Sequence, residues 1–282
     1  MSKDVQMITK PFLRWAGGKT KLLNEIAKFI PNEFNNYHEP FVGGGALFFY
    51  LKSSKQIKNK VFLSDSNSEL INTYIQIKQN AQQVIDKLQT IKNKKEDYYE
   101  IRNKSCQDLT DKAVQFIYLN KTSFNGLYRV NLKGQYNVPY GYRNIKNLYD
   151  FNNIFKAQED LKNVELLDVD FYDTIQNVKS HDLIFLDPPY TVMHENNGFI
   201  KYNQKIFQWD DQLRLHDYIK ELVKKDAYFI LTNAKHKSIL NLYSDIASPI
   251  EVGRKNLIGG KLAKRETVNE YIFTNNTKRK LF

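Results

Sequence analysis

The 282-residue chain holds a single cysteine, Cys106. It can neither close a disulfide within itself nor build a cysteine-rich zinc framework, and a lone thiol is the usage expected of a reducing compartment. The five histidines are scattered without ligand spacing, which predicts no metal. No apolar run approaches the roughly 18 residues that span a bilayer, and Met1 to Lys10 lacks the apolar centre of a signal peptide. The expectation is a soluble, unexported, cytoplasmic protein with no membrane partner. Seven prolines and 12 glycines mark scattered turns and never accumulate into a linker. Acidic residues are also short, because 31 Asp and Glu stand against 42 Lys and Arg and leave a net charge of +11.

What is present is positive charge mixed with flat rings, 18 Tyr and 18 Phe, spread along the whole chain. That mixture suits a polyanion that carries bases. The abundance of Lys, Asn and Ile also fits codon usage driven by an AT-rich genome, so charge alone leaves both readings open. Short apolar runs alternate with helical patterns. Tyr37–Phe41, Val61–Leu63, Val164–Leu167, Leu183–Leu186, Tyr228–Leu231 and Val268–Phe273 read as strands. Lys21–Ile30, Ala46–Leu51, Ser68–Ile77 and Asp210–Val223 read as helices, the last with Leu215, Tyr218, Ile219, Leu222 and Val223 at helical spacing. This alternation predicts an α/β fold with a parallel sheet. Residues 78–163 break the rhythm: they are polar, mostly helical, and contain a hairpin-like segment over Asn125–Gly141 that turns near Lys133-Gly134. The predicted organisation is one α/β domain, 1–77 and 164–282, with a second domain, 78–163, inserted into it.

Three places carry chemistry. Phe41-Val42-Gly43-Gly44-Gly45 lies between a strand and a helix, where bare backbone comes close to a ligand, and Asp65 stands 20 residues after Gly45 at a strand end, where a carboxylate accepts both hydroxyls of a ribose. Together they predict a nucleoside pocket; the alternative is a tight turn and a helix cap. The glycines do not follow G-x-G-x-x-G, which favours one adenosine over a dinucleotide, and Trp15-Ala16-Gly17-Gly18-Lys19-Thr20 only imitates the end of a P-loop. Third, Leu183–Leu186 runs into Asp187-Pro188-Pro189-Tyr190. Each proline fixes φ and removes a donor, so this turn offers acceptors, the Asp187 carboxylate and the Pro188 carbonyl, beside the Tyr190 ring. That set fits an exocyclic amine on a flat base able to stack.

These motifs give the chain a resemblance to the Dam-type family of DNA adenine-N6 methyltransferases, extending from Pro11 to about Phe273. Carrying it are P-F-L-R-W-A-G-G-K at the start, F-V-G-G-G, the hairpin sequence N-G-L-Y-R-V-N followed by Y-N-V-P-Y-G, and D-P-P-Y, in the family's order. The resemblance implies a Rossmann-like class I sheet that uses S-adenosyl-L-methionine, with an inserted target-recognition domain. It places the cofactor at Trp15, Lys19, Phe41, Gly43, Gly45, Asp65 and Asp187, and at Asp170-Phe171, which looks like the pair holding the adenine. It makes Asp187, Pro188, Pro189 and Tyr190 the catalytic turn. It implies DNA contacts by Phe124 wedging into the base stack, Asn125 filling the vacated space, Leu127 on a thymine methyl, Arg129 on a guanine edge, Pro139 near the target pair and Arg14 at the outer guanine. Arg and an apolar side chain suit those partners; a phosphate contact is the alternative for Arg129.

The implied reaction is direct methyl transfer to the adenine of GATC in double-stranded DNA after base flipping, with no metal and no covalent enzyme intermediate. The segment His194–Lys205 is expected to order over bound DNA. An amino methyltransferase acting on RNA or on cytosine N4, and a catalytically decayed DNA-binding regulator on the same fold, are the competing readings. Partnership with a restriction endonuclease is open.

Overall fold

The computed structural model describes residues 8–131, 133–142, 147–192, 207–255 and 267–276. Seven strands form one sheet: β1 (Tyr37–Glu39), β2 (Val61–Asp65), β3 (Val164–Asp168), β4 (Leu183–Leu186), β5 (Tyr228–Ala234), β6 (Ile250–Lys255) and β7 (Thr267–Thr274), in the order β3-β2-β1-β4-β5-β7-β6. β1 pairs in parallel with β2 and β4, and β4 with β5, Leu186 facing Leu231; β7 runs antiparallel to β5 and β6. β4 is apolar and buried along its whole length, as a parallel strand covered on both faces requires. The strand order reverses between β1 and β4. In open α/β sheets ligands bind outside the carboxyl ends of strands at such a reversal.

The chain divides into two compact units. The first comprises Met1–Gly18, Val42–Gln56 and Asp65–Asp168. Its helices are α2 (Ala46–Ser53), α3 (Ser68–Thr90), α4 (Lys95–Asn103), α5 (Leu109–Thr122) and α6 (Phe151–Leu161). Asn67, Asp108 and Asp150 cap the N-termini of α3, α5 and α6 by accepting a backbone N–H with their side chains, which satisfies one otherwise orphaned donor each. α3 packs on α5 and α6, and its Ile71, Ile77, Val84, Ile85 and Leu88 are buried. The sequence pattern ends this helix at Ile77, but it continues to Thr90 across a kink at Asn80, whose φ of −153° leaves the helix and whose Oδ1 accepts the N–H of Gln83. Asn80 is thus an internal cap that restarts the helix.

The second unit comprises Lys19–Phe41, Ile57–Ser64 and Val169–Phe282. It contains α1 (Leu23–Ala27), α7 (Trp209–Lys224) and α8 (Lys237–Tyr243). Where one helix over Lys21–Ile30 is predicted, a 3-10 turn at Lys19–Lys21 precedes a five-residue α1. α7 starts at a capping box in which the Gln208 side chain accepts from the Asp211 N–H and Asp211 Oδ2 accepts from the Gln208 N–H. Its apolar face, Leu215, Tyr218, Ile219 and Leu222, packs with Ile184, Leu186, Phe229, Leu231 and Phe273 of the sheet in one core.

β1 stops at Glu39, two residues short of the predicted end, and β5 runs three residues beyond Leu231 through polar but buried Thr232 and Asn233. β6 carries Glu251, Gly253, Arg254 and Lys255 and has no strong apolar signal; it is a strand because β7 pairs with it over its full length. The predicted hairpin over Asn125–Gly141 is a loose one. Among the described residues its cross-strand contacts are single bridges, Val130 to Tyr136 and Ser123 to Tyr140, supplemented by the bonds Asn131 N–H to Gln135 O and Asn137 N–H to Arg129 O. The loop predicted over His194–Lys205 lies outside the described residues.

Candidate active site

Asp187 follows β4 directly, and its carboxylate is held from two sides. Lys19 Nζ lies 2.6 Å from Oδ1, and the Thr232 hydroxyl on β5 donates to the same oxygen at 2.7 Å. The pairing of Leu186 with Leu231 sets Thr232 level with Asp187, so the extra length of β5 is what supplies this donor. Burial raises the Asp187 pKa; Lys19 and Thr232 oppose the rise, and the charge of Glu270 adds to it. Glu270 is fully buried on β7, accepts the Tyr190 hydroxyl on Oε2 at 2.6 Å, and lies 3.8 Å from Lys19 Nζ. The same ammonium stands 4.8 Å from the Tyr190 ring centre, a cation–π distance. The turn thus has a half-buried carboxylate fixed in place and an aromatic ring fixed by its hydroxyl. Behind it, buried Gln212 accepts from the Tyr243 hydroxyl and the Asn233 amide, and Thr191 donates to the Phe207 carbonyl. Pro188 is buried and Pro189 half-buried.

Asp65 ends β2 in the first unit. Its Oδ2 accepts the Gly43 N–H at 3.1 Å and its Oδ1 the Asn67 N–H at 3.1 Å. Burial pushes the carboxyl up to about 6, against these backbone donors and with the help of the Asp168 charge. Two carboxylate oxygens offer about four acceptor sites, so capacity remains beside these backbone donors. Gly43, at φ +45°, is a glycine because a Cβ there would stand 2.5 Å from the Trp15 ring. Gly45, at φ +65°, faces the hydroxyl of Tyr74, which donates to the Gly43 carbonyl at 3.1 Å. The glycine run is therefore shaped by Trp15 and Tyr74, and Trp15 itself lies in a cluster with Phe116 and Tyr128, at 6.5 and 6.0 Å, whose own rings are 5.2 Å apart.

Asp170 and Phe171 belong to the second unit. Asp170 Oδ1 caps the 3-10 helix Phe171–Asn177 by accepting the Tyr172 N–H, and also accepts Arg214 Nη2 at 2.6 Å. Phe171 is 5% exposed; it packs against Phe41 and Phe207, with the Arg214 guanidinium 5.0 Å from its ring centre. Both residues thus carry the cap and core duties that a D-F pair usually has. Arg214 has no counterpart among the residues selected from sequence.

The six expected DNA contacts all fall in the first unit, and the structure brings several together. Asn120, buried near the end of α5, accepts the Arg14 N–H at 2.8 Å and donates to the Arg14 carbonyl at 2.7 Å. Gly126, φ +65°, allows close approach, since a Cβ there would sit 2.6 Å from the Arg14 side chain. Phe124 is half exposed and Asn125 has φ 56°, while the Phe124 N–H donates to the Pro139 carbonyl at 2.9 Å. Leu127 O accepts the Tyr136 hydroxyl at 2.6 Å. Arg129 is exposed and spans the hairpin, donating from Nε to Asn137 Oδ1 at 2.7 Å and from Nη2 to Asn137 O at 3.2 Å. Among the described residues no group of three or more His, Cys, Asp or Glu could hold a metal, and no helix is long and apolar enough to cross a membrane.

A family model described as D12 class N6 adenine-specific DNA methyltransferase matches residues 15–258. The chain is 38% identical over 278 residues to a type II methyltransferase of Lactococcus lactis subsp. cremoris, M1.LlaDCHI, covering 94% of this chain and 95% of that protein. It is 37% identical over 280 residues to the type II methyltransferase M.MjaIII of Methanocaldococcus jannaschii, covering 92% and 96%. It is 30% identical over 230 residues to a DNA adenine methylase of Salmonella typhi, covering 79% and 80%. The mixed seven-stranded sheet is consistent with a class I methyltransferase fold. On the extent of these matches, the chain belongs to the D12 class of N6 adenine-specific DNA methyltransferases and is a DNA adenine methyltransferase.

Proposed function

We propose that the enzyme takes S-adenosyl-L-methionine as methyl donor and modifies the adenine of GATC, flipped out of double-stranded DNA. The single observation that carries the transfer to a base amine is the Asp187 carboxylate pinned by Lys19 and Thr232 at the end of β4, with the Tyr190 ring tethered beside it, while the target GATC rests on the resemblance of Arg14, Leu127 and Arg129 to the family's base contacts. The cofactor supplies an electrophilic methyl group on a sulfonium. The donor set fits it: the Asp65 carboxylate, held by the Gly43 N–H, accepts the ribose hydroxyls, and the Asp187 carboxylate faces the sulfonium. The family resemblance assigns Trp15, Phe41, Gly43 and Gly45 to cofactor binding, and Asp170 with Phe171 to its adenine.

Asp187 and the Pro188 carbonyl accept the hydrogens of the target amine and keep its lone pair available, while Tyr190 stacks on the base and Pro189 stiffens the turn. Held acceptors of this kind lower the barrier because they need no reorganisation during the reaction. Residues 78–163 read the DNA through Arg14 from outside the insert and Phe124, Asn125, Leu127, Arg129 and Pro139 within it; residues 1–77 and 164–282 carry out the chemistry. Relatives named type II methyltransferases support a functional partnership with a restriction endonuclease.

The test is methylation of a plasmid in vitro, with modified positions mapped for the wild type and for Asp187→Ala. Modified adenine confined to GATC, lost in the variant while most DNA binding remains, is the expected result; loss of the carboxylate should cost several kcal/mol, on the order of 3, in the chemical step. Modification of cytosine, of RNA or at another sequence would overturn the substrate assignment, and cofactor binding without turnover would identify a decayed enzyme.

A further inference from the structure

The two donors on Asp187 differ in what they can fix. An ammonium is a compact point charge that attracts either oxygen of a carboxylate, whereas a hydroxyl donates one hydrogen along one direction. Lys19 and Thr232 both meet Oδ1, at 2.6 and 2.7 Å. The terminal torsion of an aspartate is broad and roughly two-fold, so its carboxylate keeps a single orientation only where a directional partner selects one oxygen. Thr232 is built for that. Its strand is paired on both sides, Leu231 facing Leu186 of β4 and Thr232 facing Ile272 of β7, which fixes the backbone that carries the hydroxyl. The side chain is fully buried, and as a β-branched one it is stiff at χ1. The Leu186 carbonyl, 3.4 Å from the same hydroxyl, is the poorer acceptor of its one hydrogen.

We propose that Thr232 is a positioning residue that sets the rotation of the Asp187 carboxylate, engaging Oδ1 so that Oδ2 accepts the target amine. This rests on the reading of Asp187 as the acceptor of that amine, to which it adds the oxygen that accepts and the residue that selects it. The Asp187 side chain keeps 18% of its surface exposed and Thr232 keeps none, so the threonine acts through the carboxylate and does not itself meet a substrate. Its effect belongs to the step in which the amine's lone pair attacks, where the direction of the acceptor matters, and not to the earlier binding of cofactor or DNA. Two substitutions separate the donor from the shape. Thr232→Val keeps the branched outline and removes the hydroxyl, whereas Thr232→Ser keeps the hydroxyl on a smaller side chain.

The experiment measures the single-turnover methylation rate of a GATC duplex, together with the dissociation constants for S-adenosyl-L-methionine and for the duplex, in wild type, Thr232→Val, Thr232→Ser and Asp187→Ala. Thr232→Val should slow the single turnover by about tenfold or more, the order expected on losing a hydrogen bond to a charged group. Both dissociation constants should stay within about twofold of wild type, and Thr232→Ser should return the rate to within about threefold. Thr232→Ala also lacks the hydroxyl and serves in place of the valine variant if that one fails to fold. A wild-type rate in the hydroxyl-free variant, a serine variant as slow as the valine one, or a loss that falls wholly in a dissociation constant would overturn the proposal. Failure of the underlying reading looks different: Asp187→Ala would then turn over at a near-normal rate, whereas an inactive Asp187→Ala beside a fully active Thr232→Val would sink only the role given to Thr232.

Discussion

Asp65 and Asp187 both close a strand, and burial raises the pKa of both, but the groups opposing the rise differ. Asp187 has an ammonium and a hydroxyl; Asp65 has the backbone N–H groups of Gly43, Asn67 and Ser66, and its carboxyl is pushed up to about 6 from 3.8. Because the folded value lies above the unfolded one, the folded state holds the proton as pH falls from about 6 toward 4. The burial cost is present in full above that window and relieved within it. In the proposed function ribose hydroxyls donate to the ionised form, so recognition runs the opposite way and is lost as Asp65 protonates. The dissociation constant for S-adenosyl-L-methionine should be flat above about pH 7 and rise by about tenfold per unit below about pH 6. Asp65→Asn should bind more weakly at pH 7.5 and lose that slope. Calorimetry from pH 5 to 8 checks both; the same slope in the variant would assign the titration to another group. These two carboxylates were legible because each follows an apolar run. Thr232 and Glu270 were not, because their importance depends on which strands become neighbours. The signals were there to see: a charge inside the run Val268–Phe273, and polar residues continuing the strand past Leu231.

At the scale of elements, the largest departures from sequence pattern have identifiable partners. α3 outruns its apolar signal because Asn80 recaps it, and β6 exists because β7 pairs with it. The motif around Trp15 read as a cofactor segment, yet its backbone is tied to the helix that precedes the hairpin-like segment Asn125–Gly141, through Asn120, and its indole stacks on Tyr128 of that segment. Nothing in the local spacing of residues 10–20 could reveal a bond to a residue 106 positions away. Asn120→Ala should remove two hydrogen bonds and leave the Arg14 N–H and carbonyl without them in a part-buried place. The expected cost is about 2–3 kcal/mol of stability, read as a lower urea midpoint at unchanged slope. Asn120→Asp keeps the acceptor and loses the amide donor, so it should fall between the two. A loss under about 0.5 kcal/mol for the alanine variant would mean that Arg14 finds other partners.

For the whole molecule, the question left by composition is whether an excess of 11 positive charges serves DNA or follows codon usage. Salt dependence separates the two. Each phosphate neutralised releases counterions, so the logarithm of affinity falls against the logarithm of salt with a slope of about −0.9 per contact. A surface whose lysines are merely abundant gives a shallow slope, whereas about six phosphate contacts would cost roughly a thousandfold between 50 and 200 mM salt. Arg129 sharpens the test, because it is exposed on the hairpin and engaged with Asn137 rather than with an acidic side chain. Those two bonds hold its guanidinium in a defined place, as expected of a group that must present a planar fork to a base edge. If Arg129 reads guanine, Arg129→Ala should lose about 1–3 kcal/mol of discrimination at the last base pair of GATC while the salt slope stays as in the wild type. If it touches phosphate, all sequences should weaken alike and the slope should shrink by about one contact. Binding and methylation of GATC and its single-base variants by both proteins, across that salt range, decide between them: an unchanged preference profile in Arg129→Ala would remove the residue from base recognition.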